Sequence, residues 1–319
     1  MGSRPIGIIS NARCRDNRRG VGDDKRFRAI LDDDAGVTVT ATAAELAAAV
    51  ERYRDDRVEY LGIHGGDGSI HHTLTALIRG YAGRDLPRLI VLRGGTMNTL
   101  ARGLGIRGRH GAGPAILADV VARLQRGAVP HTTRRFTVKV GDRYGLIFGN
   151  GVMYAFAKHY YELGTPQPWS AAQLLSRVVG SAMIGGPLAG DLVRSFDARL
   201  LIDGAVSPYA SFLTVAVASV PEAGYGFALL PHAVDGLDGL AVTAIHTSPR
   251  ALVAEMPKML LRRPLRSDRC TLSTAHAVRV EANAPVGYTL DGDCYLDESH
   301  IEITAGPRVE IVVPEPQDS

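Results

Sequence analysis

Residues 60–74, YLGIHGGDGSIHHTL, set one carboxylate, Asp67, among Gly65, Gly66 and Gly68. The run VEYLGI before them reads as a strand by its β-branched and aromatic content, and Ile70, Leu74, Leu77 and Ile78 after them recur on one helical face. The glycines therefore fall at a strand-to-helix turn, where unpaired backbone N–H groups and the positive end of the helix dipole suit a phosphate. Ser69 is placed to cap that helix. Glycines at such a turn also serve simply to bend the chain, so the acid is the informative residue. A carboxylate beside phosphates is repelled unless a cation such as Mg²⁺ lies between them or the acid meets a sugar hydroxyl. A P-loop does not fit, because it would end in Gly-Lys-Ser/Thr and no lysine lies between Lys25 and Lys139. A dinucleotide fingerprint does not fit either: it needs a third glycine near His71 and an acid after the next strand, whereas Asp85 precedes that strand.

A second turn of the same kind follows in RLIVLRGGTMNTLARGLGI (88–106), and both turns are expected at the carboxyl edge of one sheet, where ligands of α/β proteins bind. Thr96 can hydrogen-bond a phosphate, and Asn98 can cap a helix or hold a ligand. Near the end of the chain, YTLDGDCYL (288–296) carries Asp291 and Asp293. On a strand, residues two apart share a face, so the pair suits a proton transfer; Asp-Gly is equally a common hairpin turn. In AVDGLDGLAV, Asp235 and Asp238 with the carbonyl of Leu240 offer oxygen ligands to one hard cation, Mg²⁺ or Ca²⁺, or form an ordinary turn. His64, His71 and His72 do not read as a metal site, since helical neighbours 71 and 72 diverge and no Asp or Glu stands at ligand spacing.

The elements that must position these residues divide the chain in two. Over roughly the first 130 residues short apolar runs alternate with helical patterns: PIGIIS, VTVTAT then AAELAAAVERY, VEYLGIH then SIHHTLTALI, RLIVL then TLARGLG, and AILADVVARL. That is the rhythm of β-α units on a parallel sheet. From about residue 134 the chain turns β-rich, with RFTVKVGDRYGLIFGN, ASFLTVAVASV, LAVTAIH, AVRVEA and RVEIVVP, which predicts a mostly antiparallel second domain. Residues 170–196 read as helical with a Gly-Gly-Pro break. A length of 319 residues exceeds what one hydrophobic core usually serves, so two domains are expected.

Thirty-six basic against thirty-three acidic side chains leave a net charge of +3, too little for the electrostatic footprint of a nucleic-acid binder. Cys14, Cys270 and Cys294 are odd in number and scattered, as fits reduced thiols in cytoplasm. There is no apolar run long enough to span a membrane and no secretory h-region. Aromatic residues between Tyr144 and Trp169 suit core packing or an acyl-chain cleft. KMLLRRPLRSDR (258–269) sets four arginines among apolar residues, as at a surface that touches anionic lipid heads or a solvated helix end.

GGDGSI (65–70) followed by GGTMNTLARGLG (94–105) resembles the diacylglycerol kinase catalytic domain shared by bacterial lipid kinases, sphingosine kinases and ceramide kinases. The resemblance extends over nearly the whole chain, through Asn11 in IISNARCR, Thr40 and Thr42, LLPHAVDGLDGLAVTAI (229–245) and YTLDGDCYL. It implies a NAD kinase/diacylglycerol kinase-like α/β nucleotide-binding domain (1–132) followed by an antiparallel β-sandwich domain (133–306), with a strand at about 307–319 returning to the first. It also implies an ATP-dependent lipid kinase, with ATP, Mg²⁺ and a lipid hydroxyl such as that of diacylglycerol meeting between the domains. By the same resemblance Asn11, Thr40, Gly65, Gly66, Asp67, Gly68, Ser69, Gly95, Thr96 and Asn98 hold the nucleotide, with Asp67 near the metal. Asp235, Asp238 and Leu240 hold a structural metal, and Asp293, with Asp291 close behind, takes the acceptor proton.

Three positions depart from the family pattern: Ala12 stands where proline is usual, Thr99 where many members carry aspartate, and Asp293 where glutamate is usual. The expected partner is a lipid presented at a membrane surface, touched peripherally from the cytoplasm, and a homodimer is compatible with this reading. The alternatives are a NAD kinase-like enzyme, which the lack of an Asn-Glu dipeptide argues against, and a lipid-binding or regulatory module of the same fold without transfer activity.

Overall fold

The structure is a computed structural model and describes residues 5–20, 23–108, 111–162, 173, 176–177, 181, 192–224, 226–263 and 265–315. The chain divides into two compact units, one of Met1–Arg135 with Pro307–Ser319 and one of Phe136–Gly306.

The first unit is built on a parallel sheet of β1 (Ile6–Asn11), β2 (Val37–Thr40), β3 (Tyr60–Gly65) and β4 (Arg88–Arg93), in the order β2-β1-β3-β4. Its helices are α1 (Arg15–Arg18), α2 (Asp23–Leu31), α3 (Ala43–Asp55), α4 (Asp67–Tyr81), α5 (Thr99–Gly103) and α6 (Gly113–Gln125). Both faces of the sheet are covered, which is why its strands are apolar at successive positions instead of alternating. On one face Ile6, Ile8, Tyr60, Ile90 and Leu92 pack with Phe27 of α2 and with Leu117 and Val120 of α6. The opposite set, Ile9, Leu61, Ile63, Leu89 and Val91, is equally buried, and α3 and α4 pack on each other and on β1 and β3. The expected strand VTVTAT stops at Thr40, because Thr42 instead caps α3 in a reciprocal capping box with Glu45.

The second unit is antiparallel. It comprises β5 (Thr132–Val140) from Phe136 onward, β6 (Arg143–Gly145), β7 (Ile147–Asn150), α7 (Val152–Glu162), β8 (Phe196–Ile202), β9 (Ala205–Val206), β10 (Ser211–Phe212), β11 (Thr214–Ala218) and β12 (Leu240–Ile245). These are followed by α8 (Pro249–Leu260), β13 (Cys270–Ala275), β14 (Ala277–Leu290) and β15 (Asp293–Val312), the last of which leaves the unit after Gly306. The main order is β13-β12-β11-β7-β14-β15. The first half of β14 pairs with β8 and its end with β7, and the handover coincides with register shifts between Glu281 and Tyr288. Such irregularities bend a strand from one sheet partner to the next. Val138, Phe148, Leu200, Phe212, Val217, Val242, Val280, Tyr288 and Ile301 share the core beneath. Past Gly306 the chain is again part of the first unit, where Ile311 pairs in parallel with Leu89 of β4.

The expected helical region 170–196 and Trp169 lie almost wholly outside the described residues. Among the described residues, no helix is long and apolar enough to cross a membrane.

Candidate functional site

In the first unit the carboxyl ends of β3 and β4 run into the two glycine turns, and Gly94 N–H donates to the Gly65 carbonyl at 2.9 Å, so the turns leave the sheet side by side. None of Gly65, Gly66, Gly68, Gly94 and Gly95 takes a positive φ; the left-handed residue of the region is Asn98, at φ 48°. At Gly65, Gly94 and Gly95 close approach, not backbone freedom, calls for glycine. A Cβ on Gly95 would lie 2.3 Å from the Cα of Gly66, and one on Gly65 would collide with the Ser69 side chain. The two turns thus touch backbone to backbone.

Helix α4 begins at Asp67 with Gly66, which has no side chain to offer, as its N-cap. The expected cap, Ser69, lies inside the first turn, where its Oγ accepts a 2.8 Å hydrogen bond from Asn11 Nδ2. Glycine is itself a favoured N-cap, so the helix starts earlier than the serine suggests. Its leading amides have no intrahelical acceptor. Asp67 turns away from them: its carboxylate accepts the backbone N–H groups of Thr99 at 2.9 Å and Leu100 at 3.0 Å, the start of α5. The acid in the first turn therefore caps the helix of the second. Burial pushes its carboxyl above the ordinary aspartate range, against the pull of those two amides and of Arg102. Asn98 clasps its own turn, accepting from Gly95 N–H at 3.1 Å and donating to the Gly95 carbonyl at 2.9 Å. Thr96 stands half-buried in that loop.

Asn11 and Thr40 end neighbouring strands, paired in register. Thr40 is buried, and its carbonyl accepts the N–H of Ala12 at 2.9 Å. A proline at 12 has no N–H to give, which accounts locally for that departure. Asn11 thus reaches Ser69 while its Oδ1 accepts Arg13 N–H at 2.8 Å.

In the second unit Asp291 and Gly292 are the two-residue turn between β14 and β15, at φ 50° and 92°. The same-face argument for Asp291 and Asp293 therefore does not apply, because a turn separates them. Asp291 is buried and its carboxylate is committed to backbone: Leu146 N–H approaches both oxygens at 3.0 Å and Ile147 N–H approaches Oδ1 at 2.8 Å. Asp293, the first residue of β15, is half-buried. Asp235 and Asp238 are exposed in the loop entering β12, whose bends at Gly236 and Gly239 take φ 75° and 130°, and Leu240 opens the strand. Two solvent-facing carboxylates and a backbone carbonyl are a donor set for a hard cation.

Phe148 and Tyr160 are core, while Tyr161 is exposed. Of the four arginines in the basic stretch, Arg262 pairs with Glu222 at 2.6 Å, Arg266 with Asp268 at 3.0 Å and Arg269 with Glu255 at 2.8 Å, leaving Leu260 and Leu261 beside them 55% and 65% exposed.

His64 lies near the end of β3. The histidine is fully buried, and Asp23 and Asp16 lie close to it. Nothing in the local spacing shows this, since both acids come from the segment after β1. Burial raises the Asp23 carboxyl and lowers the His64 imidazole relative to their ordinary values.

With this geometry in hand, residues 17–128 match the family model described as the diacylglycerol kinase catalytic domain, and residues 192–310 match the YegS C-terminal NAD kinase beta sandwich-like domain. No curated protein matches the sequence. A solved structure of a diacylglycerol kinase from Bacillus anthracis str. Sterne superposes with a TM-score of 0.70 at 18% identity, covering 98% of each chain. Two further structures from that organism, provisionally assigned as diacylglycerol kinases, give TM-scores of 0.68 and 0.67 at 15% identity, each covering 98% of this chain and 97% of the other. At that identity the likeness speaks for the fold: an α/β domain followed by a β-sandwich-like domain.

Proposed function

We propose that this chain, which belongs to the diacylglycerol kinase catalytic-domain family, is an ATP-dependent lipid kinase that moves the γ-phosphoryl group onto a hydroxyl of a lipid such as diacylglycerol. One observation carries the reading: α4 starts at a glycine with no side-chain cap, beside a second glycine turn, while the acid of its first turn is spent on α5. A helix start left bare at the ligand edge of a parallel sheet is an anion site. Gly66 and Gly68 let phosphate oxygens approach the amides of residues 67–69, and the Asn11–Ser69 pair adds two side chains at the same end.

Phosphoryl transfer needs the phosphate charge neutralised, the acceptor aligned and its proton removed. Mg²⁺, when bound, supplies the neutralising charge. The family resemblance assigns Asp67 a place near it, and the Asp67 carboxylate fixes the start of α5 there through the Thr99 and Leu100 amides. Asp235, Asp238 and the Leu240 carbonyl fit a second, structural cation. The proton of the lipid hydroxyl is assigned to Asp293. The engagement of Asp291 with Leu146 and Ile147 supports that choice and makes Asp291 the residue that fixes the turn.

The test is incubation of the protein with Mg-ATP and a total lipid extract, read by mass spectrometry. A phosphorylated lipid is expected. Phosphorylated NAD with no lipid product would replace this reading by the NAD kinase-like one, and ATP binding without any product would leave a binding module.

A further inference from the structure

The segment after β1 brings to β3 a set of groups that nucleotide binding does not use. Asp16 of α1, Asp23 at the start of α2 and His64 near the end of β3 are 1%, 0% and 0% exposed. One ligating atom from each lies within 4.8 Å of the others. His64 Nε2 is 3.3 Å from Asp23 Oδ2. Beyond that contact, among the described residues, neither that nitrogen nor either oxygen of Asp23 has a hydrogen-bond partner, and Oδ1 of the neighbouring Asp24 is likewise buried without one. Arg26 comes only to 3.9 Å of Asp23 Oδ1 and is mostly solvent-exposed.

Buried carboxylates at this spacing need a proton or a cation to offset them, and a single imidazole balances at most one. The outer contacts are those of a ligand set. Ser10 Oγ meets His64 Nδ1 at 2.9 Å and accepts from Asn17 Nδ2 at 3.0 Å, which fixes the ring with Nε2 toward the acids. Gly111 N–H donates to Asp16 Oδ2 at 3.2 Å and orients that carboxylate. Phe27 stands edge-on to the imidazole with centroids 5.0 Å apart and closes one side.

We propose that Asp16, Asp23 and His64 form a binding site for a divalent first-row transition ion of the zinc or manganese class. The imidazole sets it apart from an all-oxygen magnesium site. The ion ties the segment after β1 to the ends of β3 and β4, since Asp16 N–H already donates to the Gly94 carbonyl at 3.3 Å and His64 directly precedes Gly65. The site is distinct from the exposed Asp235 and Asp238 loop.

The experiment strips the full chain carrying Asp235→Ala and Asp238→Ala with a chelator, then dialyses it against Zn²⁺ or Mn²⁺ and measures bound metal. One ion per chain is expected, with a melting temperature that rises with metal concentration, as it does for any ligand that binds the folded state. Asp23→Asn and His64→Gln in that background should each lower affinity at least tenfold. Bound metal well below one per chain, with an unmoved melting temperature, overturns the proposal. So does unchanged affinity in both variants. If a variant fails to fold, the stoichiometry of the parent chain decides alone. No step involves nucleotide or lipid, so the outcome is independent of the kinase reading.

Discussion

Asp67→Ala removes the acceptor that both leading amides of α5 use, at 2.9 and 3.0 Å. A side-chain cap lost to alanine costs about 0.5–2 kcal/mol, and a hydrogen bond to a charged group contributes about 1.5–3 kcal/mol. Against this stands the cost of holding the carboxylate out of water, which is why burial raises its pKa. A net loss of about 2 kcal/mol follows, roughly 4–8 °C in the melting of the first unit at about 2–4 °C per kcal/mol. Asp67→Asn keeps one amide but turns its NH₂ toward the other, and should fall between wild type and alanine. Urea titration followed by circular dichroism gives the stability, and calorimetry gives Mg-ATP affinity. Affinity should fall at least tenfold, because the turn of Gly95 to Asn98 hangs on α5. An alanine variant within about 0.5 kcal/mol of wild type would refute the cap and the coupling of the two turns.

Further outcomes follow from the same contacts. Gly95→Ala places a methyl 2.3 Å from the Gly66 Cα, so it should cost about 1–3 kcal/mol and weaken Mg-ATP binding, both read on one purified variant. Asp291→Ala strands the buried Leu146 and Ile147 amides and should lose about 2–4 kcal/mol in denaturation, whereas Asp293→Ala should lose about 1 kcal/mol or less and yet lower kcat about a hundredfold or more in a lipid phosphorylation assay. Glu255 is buried; burial alone would raise its carboxyl, but bonds from Lys258 and the Arg266 N–H, together with Arg269, hold it below the ordinary glutamate value. A depressed folded-state pKa means this stability is complete above about pH 4.5 and is lost as pH falls through the folded value. Glu255→Gln should thus cost about 1–3 kcal/mol at pH 7, discounted for half-exposed Lys258, and the gap should close in acid unfolding titrations.

The β-α rhythm of the first unit is legible in the sequence because a sheet covered on both faces writes itself as unbroken apolar strands, and the second unit because Gly, Pro and Asp punctuate its short strands. Both turns are legible as glycine clusters. Their wiring is not. Asp67 reaches an amide thirty-two residues away, and a side chain bonded to backbone leaves no pattern in the partner's residue types. Ser69 reads as a cap by type, but Gly66 takes the position, because a cap needs only the right backbone angles and glycine reaches them freely. Asp291 and Asp293 read as a pair on one face, yet φ 50° at Asp291 places it in the hairpin turn. His64 looks isolated because Asp16 and Asp23 arrive from more than forty positions upstream, and only the pairing of β1 with β3 brings them together.

The bare start of α4 is the claim on which the nucleotide reading stands, and Gly68→Val tests it most directly. Gly68 lies in the first turn of a helix without positive φ, so valine leaves the fold in place while its branched side chain stands over the leading amides. Isothermal calorimetry with Mg-ATP should give saturable binding to wild type and at least a hundredfold weaker binding to a variant with an unchanged circular dichroism spectrum. Equal affinity in the two proteins would contradict the account.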